Sequence, residues 1–391
     1  MSAPSGAELI EQARALRPLL AAEADTIERD RRLTAAVVEA LVAQGFYRML
    51  LPKSLGGAEL APQDFMQVLE EIAQADASTA WCLGQCSVSS MVSAYLDPAA
   101  AREIFDEKPG ILAWGAAAGE VRAVDGGCRA SWRWHFASGS HQASWLGAHV
   151  HIIEPDGKKR LKPDGAPMQR TILFPASSAK FSDVWDVIGL KGTGSDDYAV
   201  EDVFVPERFI AGRDDAACRR EAGALYRLTT SIMYGLGFAS IALGLARASL
   251  DAGIELTRTK SPRQIKHTMR DNHAVHALIG RNEAKLRAAR AYLHSAVAEV
   301  WRDLQCPAEL SLDNRVALRL AASWALHQAV EVADTAYHMA GATAVFRANP
   351  FERRFRDIHA VAQQIQARDI YYETVGQVML GLEPDAPVFA T

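Results

Sequence analysis

Over the first hundred residues apolar side chains recur every three or four positions, the period of helices with one buried face. The run from Ala36 to Gly45 keeps such a stripe, with Thr34 or Ala35 near its start and a glycine at its end. Asp64 is placed to cap a further helix beginning at Phe65. Between about residues 110 and 213 the pattern changes to short runs rich in Val, Ile, Trp and Phe. Asp125-Gly126, Asp156-Gly157 and Asp164-Gly165 break these runs, and each pair is a turn signal. From about 221 to 380 the helical period returns, now dominated by Ala, Leu and Arg. Helices, then strands, then helices give an α+β plan without an internal repeat or a low-complexity linker. The long Ala-rich C-terminal helices suit packing on one another across subunits.

At 391 residues, 49% of them hydrophobic, the chain can bury a large core in two or three packed domains. A net charge of −5 with no Lys/Arg block along a face argues against nucleic acid. The five cysteines, Cys82, Cys86, Cys128, Cys218 and Cys306, form no C-x-x-C pair. An odd, scattered set points to a reducing, cytoplasmic setting. The first residues lack the basic and apolar regions of a signal peptide. The most apolar stretch, Ser231 to Leu245, reads as a buried bundle helix rather than a membrane span.

Several cofactor signatures are missing. No G-x-G-x-x-G joins a strand to a helix, and Gly235 and Gly237 fall inside an apolar helical run. There is no phosphate-binding G-x-x-x-x-G-K-[ST] and no H-E-x-x-H. His273 and His276 share a helical face but lack a carboxylate partner, so no metal is expected.

Four segments, in order, resemble the acyl-CoA dehydrogenase superfamily: Gly45 to Ala58, Trp134 to Trp145, Gly189 to Pro206, and Met339 to Gln364. The resemblance implies that superfamily's α+β fold. A helical N-terminal domain would span 1–108, a β-barrel-like domain 109–213 and a four-helix bundle 214–391. It also implies a flavin between the β domain and the bundle, and a tetramer built as a dimer of dimers. By position, Phe136 and Ser138 match the aromatic-x-Ser/Thr pair beside the isoalloxazine. Trp114, Gly115 and Ala116 match an earlier flavin-lining strand. Arg258 matches an arginine that reaches a neighbouring subunit's cofactor phosphates, and Gly341 a turn near the adenosine side.

A dehydrogenase of this fold needs a carboxylate base to take the substrate's α-proton. Its usual position, shortly after Arg356-Asp357, falls on Gln364 or Ile365. The alternative helix, Ala222 to Leu250, contains no Asp or Glu. Glu373 lies two helical turns further on and is the candidate for a relocated base. The segments around Phe136 and Arg356 resemble instead the flavin-dependent monooxygenases of the superfamily. Those enzymes take reduced flavin, FAD or FMN, from a separate reductase, and O2 adds to it as a C4a-hydroperoxide in a dry pocket. Ser138 or Ser140 is expected to hydrogen-bond near flavin N5. Ser138 is expected to matter more for oxygen use than for folding. The apolar helix from Ile232 would form the dry wall. Phenol hydroxylases of the group carry His where Gln364 stands, and Gln cannot take a proton. His135, His141 or His359 is left as a compensating group. The expected reaction is hydroxylation of an aromatic or heteroaromatic small molecule. At Gln364 the residues favour a substrate nucleophilic without deprotonation, such as an indole, an amine or a thioether. A flavin-free binding scaffold is the third reading.

Overall fold

A computed structural model of the protein describes residues 3–106, 109–264, 266–306 and 309–385. Five helices open the chain: α1 (Gly6–Asp30), α2 (Ala35–Ala43), α3 (Pro62–Ala73), α4 (Ala77–Ser90) and α5 (Pro98–Phe105). Their starts follow from local chemistry. Ser5 and Glu8 form a reciprocal capping box on α1, and Thr34 accepts the Val37 N–H to cap α2. Helix α3 starts earlier than the sequence suggested. Pro62 occupies its first position, where a missing N–H costs nothing, and Ala61 precedes it. Asp64 therefore sits inside the first turn, facing the helix dipole rather than capping it.

Seven strands follow: β1 (Leu112–Val124), β2 (Gly127–Trp134), β3 (Trp145–Ile153), β4 (Gln169–Pro175), β5 (Lys180–Ser182), β6 (Asp197–Pro206) and β7 (Ile210–Ala211). They form one sheet in the order β5-β6-β2-β1-β3-β4-β7, parallel only between β1 and β3. The three Asp-Gly pairs are turns, with Gly126, Gly157 and Gly165 at positive φ. Trp134, Phe174 and Tyr198 fill one face of the sheet. The β1–β3 register slips between Trp114 and Ala118, where Ala117 adopts φ 68°. This bulge interrupts the β1–β3 ladder between Trp114 and Ala118 and leaves Ala116 and Ala117 exposed.

The chain ends in helices α6 (Thr230–Thr257), α7 (His273–Asp303), α8 (Leu312–Ala340), α9 (Phe351–Ala362) and α10 (Ile370–Met379). Helices α6, α7 and α8 pack side by side, α9 closes the bundle, and α3 and α4 pack against α6 from the N-terminal side. At 28 residues α6 is long and apolar enough to cross a membrane, longer than the apolar core of its sequence implied. Burial of 83% of its most apolar window inside the protein identifies it as the central core helix.

Candidate flavin and substrate site

The segment after β2 carries the densest set of unusual backbone conformations. Phe136 has φ 60° although it is not glycine, and Gly139 has φ 77°. Strained residues persist only where their surroundings over-determine them, and they gather at functional sites. Here the Ala116 N–H donates to the His135 carbonyl at 2.8 Å, tying the β1 bulge to this segment. A Cβ on Gly115 would lie 2.7 Å from that same carbonyl, so no larger residue fits. The Phe136 ring is 62% exposed, edge-on to Trp185 with ring centres 6.0 Å apart. A large exposed aromatic on a strained backbone is what a stacking surface requires.

Ser138 is buried and lies in a chain of hydrogen bonds whose direction can be worked out. The Thr193 hydroxyl donates to the Leu190 carbonyl at 2.8 Å, which uses its only proton. Its contact with Ser195 Oγ, at 2.7 Å, must then be one in which Thr193 accepts. Ser195 in turn accepts from Ser138 at 2.6 Å. The Trp81 indole N–H donates to Ser138 Oγ at 3.1 Å. The Ser138 proton is committed inward, and the hydroxyl keeps one lone pair, as an acceptor, for a ligand. Ser140, the alternative from sequence, is also buried, and its Oγ has no partner among the described residues.

Trp81 lies flat on Phe238 with ring centres 4.1 Å apart, and Phe238 stacks on Tyr234 at 5.7 Å. The Tyr234 hydroxyl meets Ser89 Oγ at 3.2 Å. Burial raises the Tyr234 hydroxyl well above the usual phenol range, so it stays protonated. Three stacked rings from α4 and α6 thus face the Ser138 chain with an apolar wall.

The loop opposite is held from behind. Asp196, buried, accepts the Val184 and Trp185 N–H groups and contacts His141 Nε2 at 2.9 Å. Asp357 on α9 accepts the Leu190 N–H at 2.7 Å, and Arg356 donates to the Ile188 carbonyl. Burial, the leading cause, raises the Asp357 carboxyl to about 7. The Arg-Asp pair read from the sequence is therefore the peg that fixes the loop bearing Trp185, Thr193 and Ser195.

Gln364 begins a short 3-10 turn after α9 and accepts the Gln366 N–H on its Oε1 at 2.5 Å. Because a backbone N–H needs an acceptor, this fixes the amide's orientation. Its Nε2 is buried without a partner among the described residues. The side chain is a donor with nothing yet to donate to. Gln366 donates to Ser231 on α6 at 3.2 Å, which brings this turn to the first turn of α6, beside Tyr234.

Sequence-selected residues thus fall into separate groups. Trp114, Gly115, Ala116, Phe136 and Ser138 come together around the bulge. Arg258 and Gly341 do not join them. Arg258 caps the far end of α6, roughly 36 Å from Tyr234 at 1.5 Å per residue, exposed and paired with Glu255. Gly341 ends α8 at φ 53°, close to Lys260, whose ammonium holds the Ala340 carbonyl and the Thr343 hydroxyl. His359 is occupied elsewhere: its Nε2 pairs with Asp334 at 2.9 Å and its ring packs on Phe355. His135 likewise pairs with Asp197 at 2.8 Å. Among the described residues no group of three His, Cys, Asp or Glu is placed to hold a metal. Sequence reasoning missed Trp81, Thr193 and Ser195. The only hint was the alternation of glycine with small hydroxyl residues at Gly192-Thr193-Gly194-Ser195.

The acyl-CoA dehydrogenase family models match this chain over both helical regions, the N-terminal domain at residues 8–103 and the C-terminal domain at 236–368. Indole-3-acetate monooxygenase of Pseudomonas putida is 30% identical over 91% of this chain and 90% of its own length. The oxygenase component of the FADH(2)-dependent resorcinol hydroxylase of Rhizobium sp. is 27% identical over 96% of this chain and 95% of its own. The crystal structure of the HsaA monooxygenase from M. tuberculosis superimposes with a TM-score of 0.89 at 25% identity, covering 98% of this chain and all of the other. With the same helix–sheet–helix order, the chain belongs to the acyl-CoA dehydrogenase superfamily, in its flavin-dependent monooxygenase branch.

Proposed function

We propose that this protein is the oxygenase component of a two-component monooxygenase that hydroxylates an aromatic or heteroaromatic small molecule. The observation that carries this is Gln364, a neutral donor whose acceptor oxygen is already tied to the Gln366 N–H. A proton-abstracting dehydrogenase cannot work with that group. The indole-3-acetate and resorcinol activities in the names of the relatives support an aromatic substrate.

The site fits a flavin. The exposed Phe136 ring offers a stacking face, and Ser138 offers a lone pair where a reduced flavin ring carries an N–H. Bound reduced FAD, or FMN in its place, supplies the electrons that activate O2. The chain's own residues do the rest. Ser138 accepts a hydrogen bond, held in that role by Trp81 and Ser195. The Trp81–Phe238–Tyr234 wall excludes water, which favours oxygen transfer over peroxide loss. Gln364 cannot take a proton from the substrate, so a ring already nucleophilic without deprotonation, such as an indole, is preferred to a phenol.

The "oxygenase component" wording for the relative, and the absence from this sequence of a nucleotide-binding fingerprint, support a separate flavin reductase. Purified protein given NAD(P)H and FAD should form no product, and adding any NAD(P)H:flavin reductase should start turnover. Equal turnover without the reductase would refute the two-component reading. Installing a base, Gln364→His, should raise the ratio of phenol to indole product several-fold. An unchanged ratio in steady-state assays would remove Gln364 from the substrate site.

A homotetramer suits the placement of Arg258 far from its own chain's Ser138. It also suits the exposed Trp324, Ile370, Met379 and Leu380 of the C-terminal region, which a subunit contact would cover. Light scattering should give four times the 42.5 kDa chain mass, and a monomer that binds reduced flavin would rule this assembly out. Free cysteines and the burial of α6 support a cytoplasmic location.

A further inference from the structure

Arg319 on α8 is only 5% exposed, and no carboxylate pairs with it among the described residues. Burial lowers its pKa, but a guanidinium stays charged at neutral pH. A buried cation without an anion is costly, so something should compensate it when the site is in use. Its neighbours are neutral. The Tyr371 ring lies 4.4 Å from the guanidinium carbon, and Gln366 Oε1 accepts from Nη1. That contact turns the Gln366 amide so that Nε2 donates to Ser231 Oγ at 3.2 Å. Ser231 accepts there, and no acceptor among the described residues takes its own proton. The protons of Arg319, Gln366 and Ser231 therefore all point one way, from the buried charge to the first turn of α6. Gln364 Nε2, buried and unpartnered, is a second free donor on the same loop. The cavity beside Arg319, between Ile232, Leu236 and Leu318, is about 10 Å³. That is room for about one water, so an anion would meet the end of the chain rather than the guanidinium itself.

We propose that Ser231 and Gln364 form a subsite for a carboxylate carried by the aromatic substrate, polarised through Gln366 by the charge of Arg319. This rests on the monooxygenase reading for placing Gln364 at the substrate. A carboxylate is the anion that fits, because it is ionised at neutral pH without the base this position lacks.

Full-length protein with reduced FAD under argon can be titrated calorimetrically with indole-3-carboxylate and with the isosteric indole-3-carboxamide. The carboxylate should bind about tenfold or more tightly, the scale of a charge-assisted hydrogen bond. Ser231→Ala should cut that preference several-fold while leaving the amide's affinity in place. Arg319→Met should bring it close to one, and Arg319→Lys should restore part of it. Should Arg319→Met fail to fold, Ser231→Ala, which removes one hydroxyl at a partly exposed position, decides alone. Equal binding of acid and amide to the wild type, or a preference untouched by Ser231→Ala, would overturn the subsite while leaving the aromatic reading standing. Binding of neither compound would overturn both.

Discussion

Asp357→Asn should make the protein more stable than the wild type at pH 8, with a clearly smaller advantage at pH 5. Burial raises the Asp357 carboxyl from its ordinary 3.8 to about 7. Between those values the folded protein binds a proton that the unfolded chain releases. The contribution is fully present below about pH 4 and is lost as pH rises through about 7. A shift of this size corresponds to about 4 kcal/mol at its limit, an order-of-magnitude figure for a carboxyl withdrawn from water. Asparagine carries no charge to bury, and its oxygen can still accept the Leu190 N–H. Urea denaturation of both proteins at the two pH values measures the difference. Equal destabilisation of the variant at pH 5 and pH 8 would mean that the carboxylate is ionised and well satisfied in the fold. On the expected outcome, the wild-type aspartate gives up stability for a rigid peg behind the loop bearing Trp185, Thr193 and Ser195.

Ser138→Ala should damage both coupling and stability. Sequence alone suggested an effect on oxygen use with an unchanged melting temperature. The structure makes Ser138 the junction between Trp81 and Ser195, so its loss leaves a buried indole N–H and a buried hydroxyl short of partners. Each such group costs about 1–3 kcal/mol. The lost hydrogen bond to the cofactor, about 0.5–1.5 kcal/mol, corresponds to about a two- to tenfold change in the partition between product and hydrogen peroxide. Ser138→Thr, which keeps the hydroxyl, should recover most of the coupling. Thermal unfolding together with peroxide and product assays separates the two effects. A variant as stable and as well coupled as the wild type would dissolve the hydrogen-bond chain.

Much of this was legible in the chain. The switch from helical period to short β-branched runs and back is visible without any structure, because each element buries one face and its spacing records which. The three Asp-Gly turns were legible for the same local reason. The helix starts were less so: at α3 a proline at the first position outweighed a nearby aspartate. The candidate site divides along similar lines. Phe136 and Ser138 sit in one contiguous segment and could be read together. Trp81, Thr193 and Ser195 come from two other segments, and no local pattern marks a tryptophan in a helix as the donor to a serine 57 residues later. Arg319 and Gln366 are hidden in the same way, since an arginine in an Ala-rich helix is ordinarily a solvated one. His359 shows the opposite error, a residue conspicuous in its motif whose ring is already committed to Asp334.

Reduced flavin and O2 on this protein should deliver an oxygen atom to an aromatic ring. A single turnover tests it: protein mixed with chemically reduced FAD and indole, without reductase or NAD(P)H, then exposed to ¹⁸O2 in unlabelled water. One labelled oxygen atom in the hydroxylated product, found by mass spectrometry, is the predicted result. Product without the label, or no product alongside flavin reduction by an acyl-CoA in a parallel anaerobic sample, would contradict it.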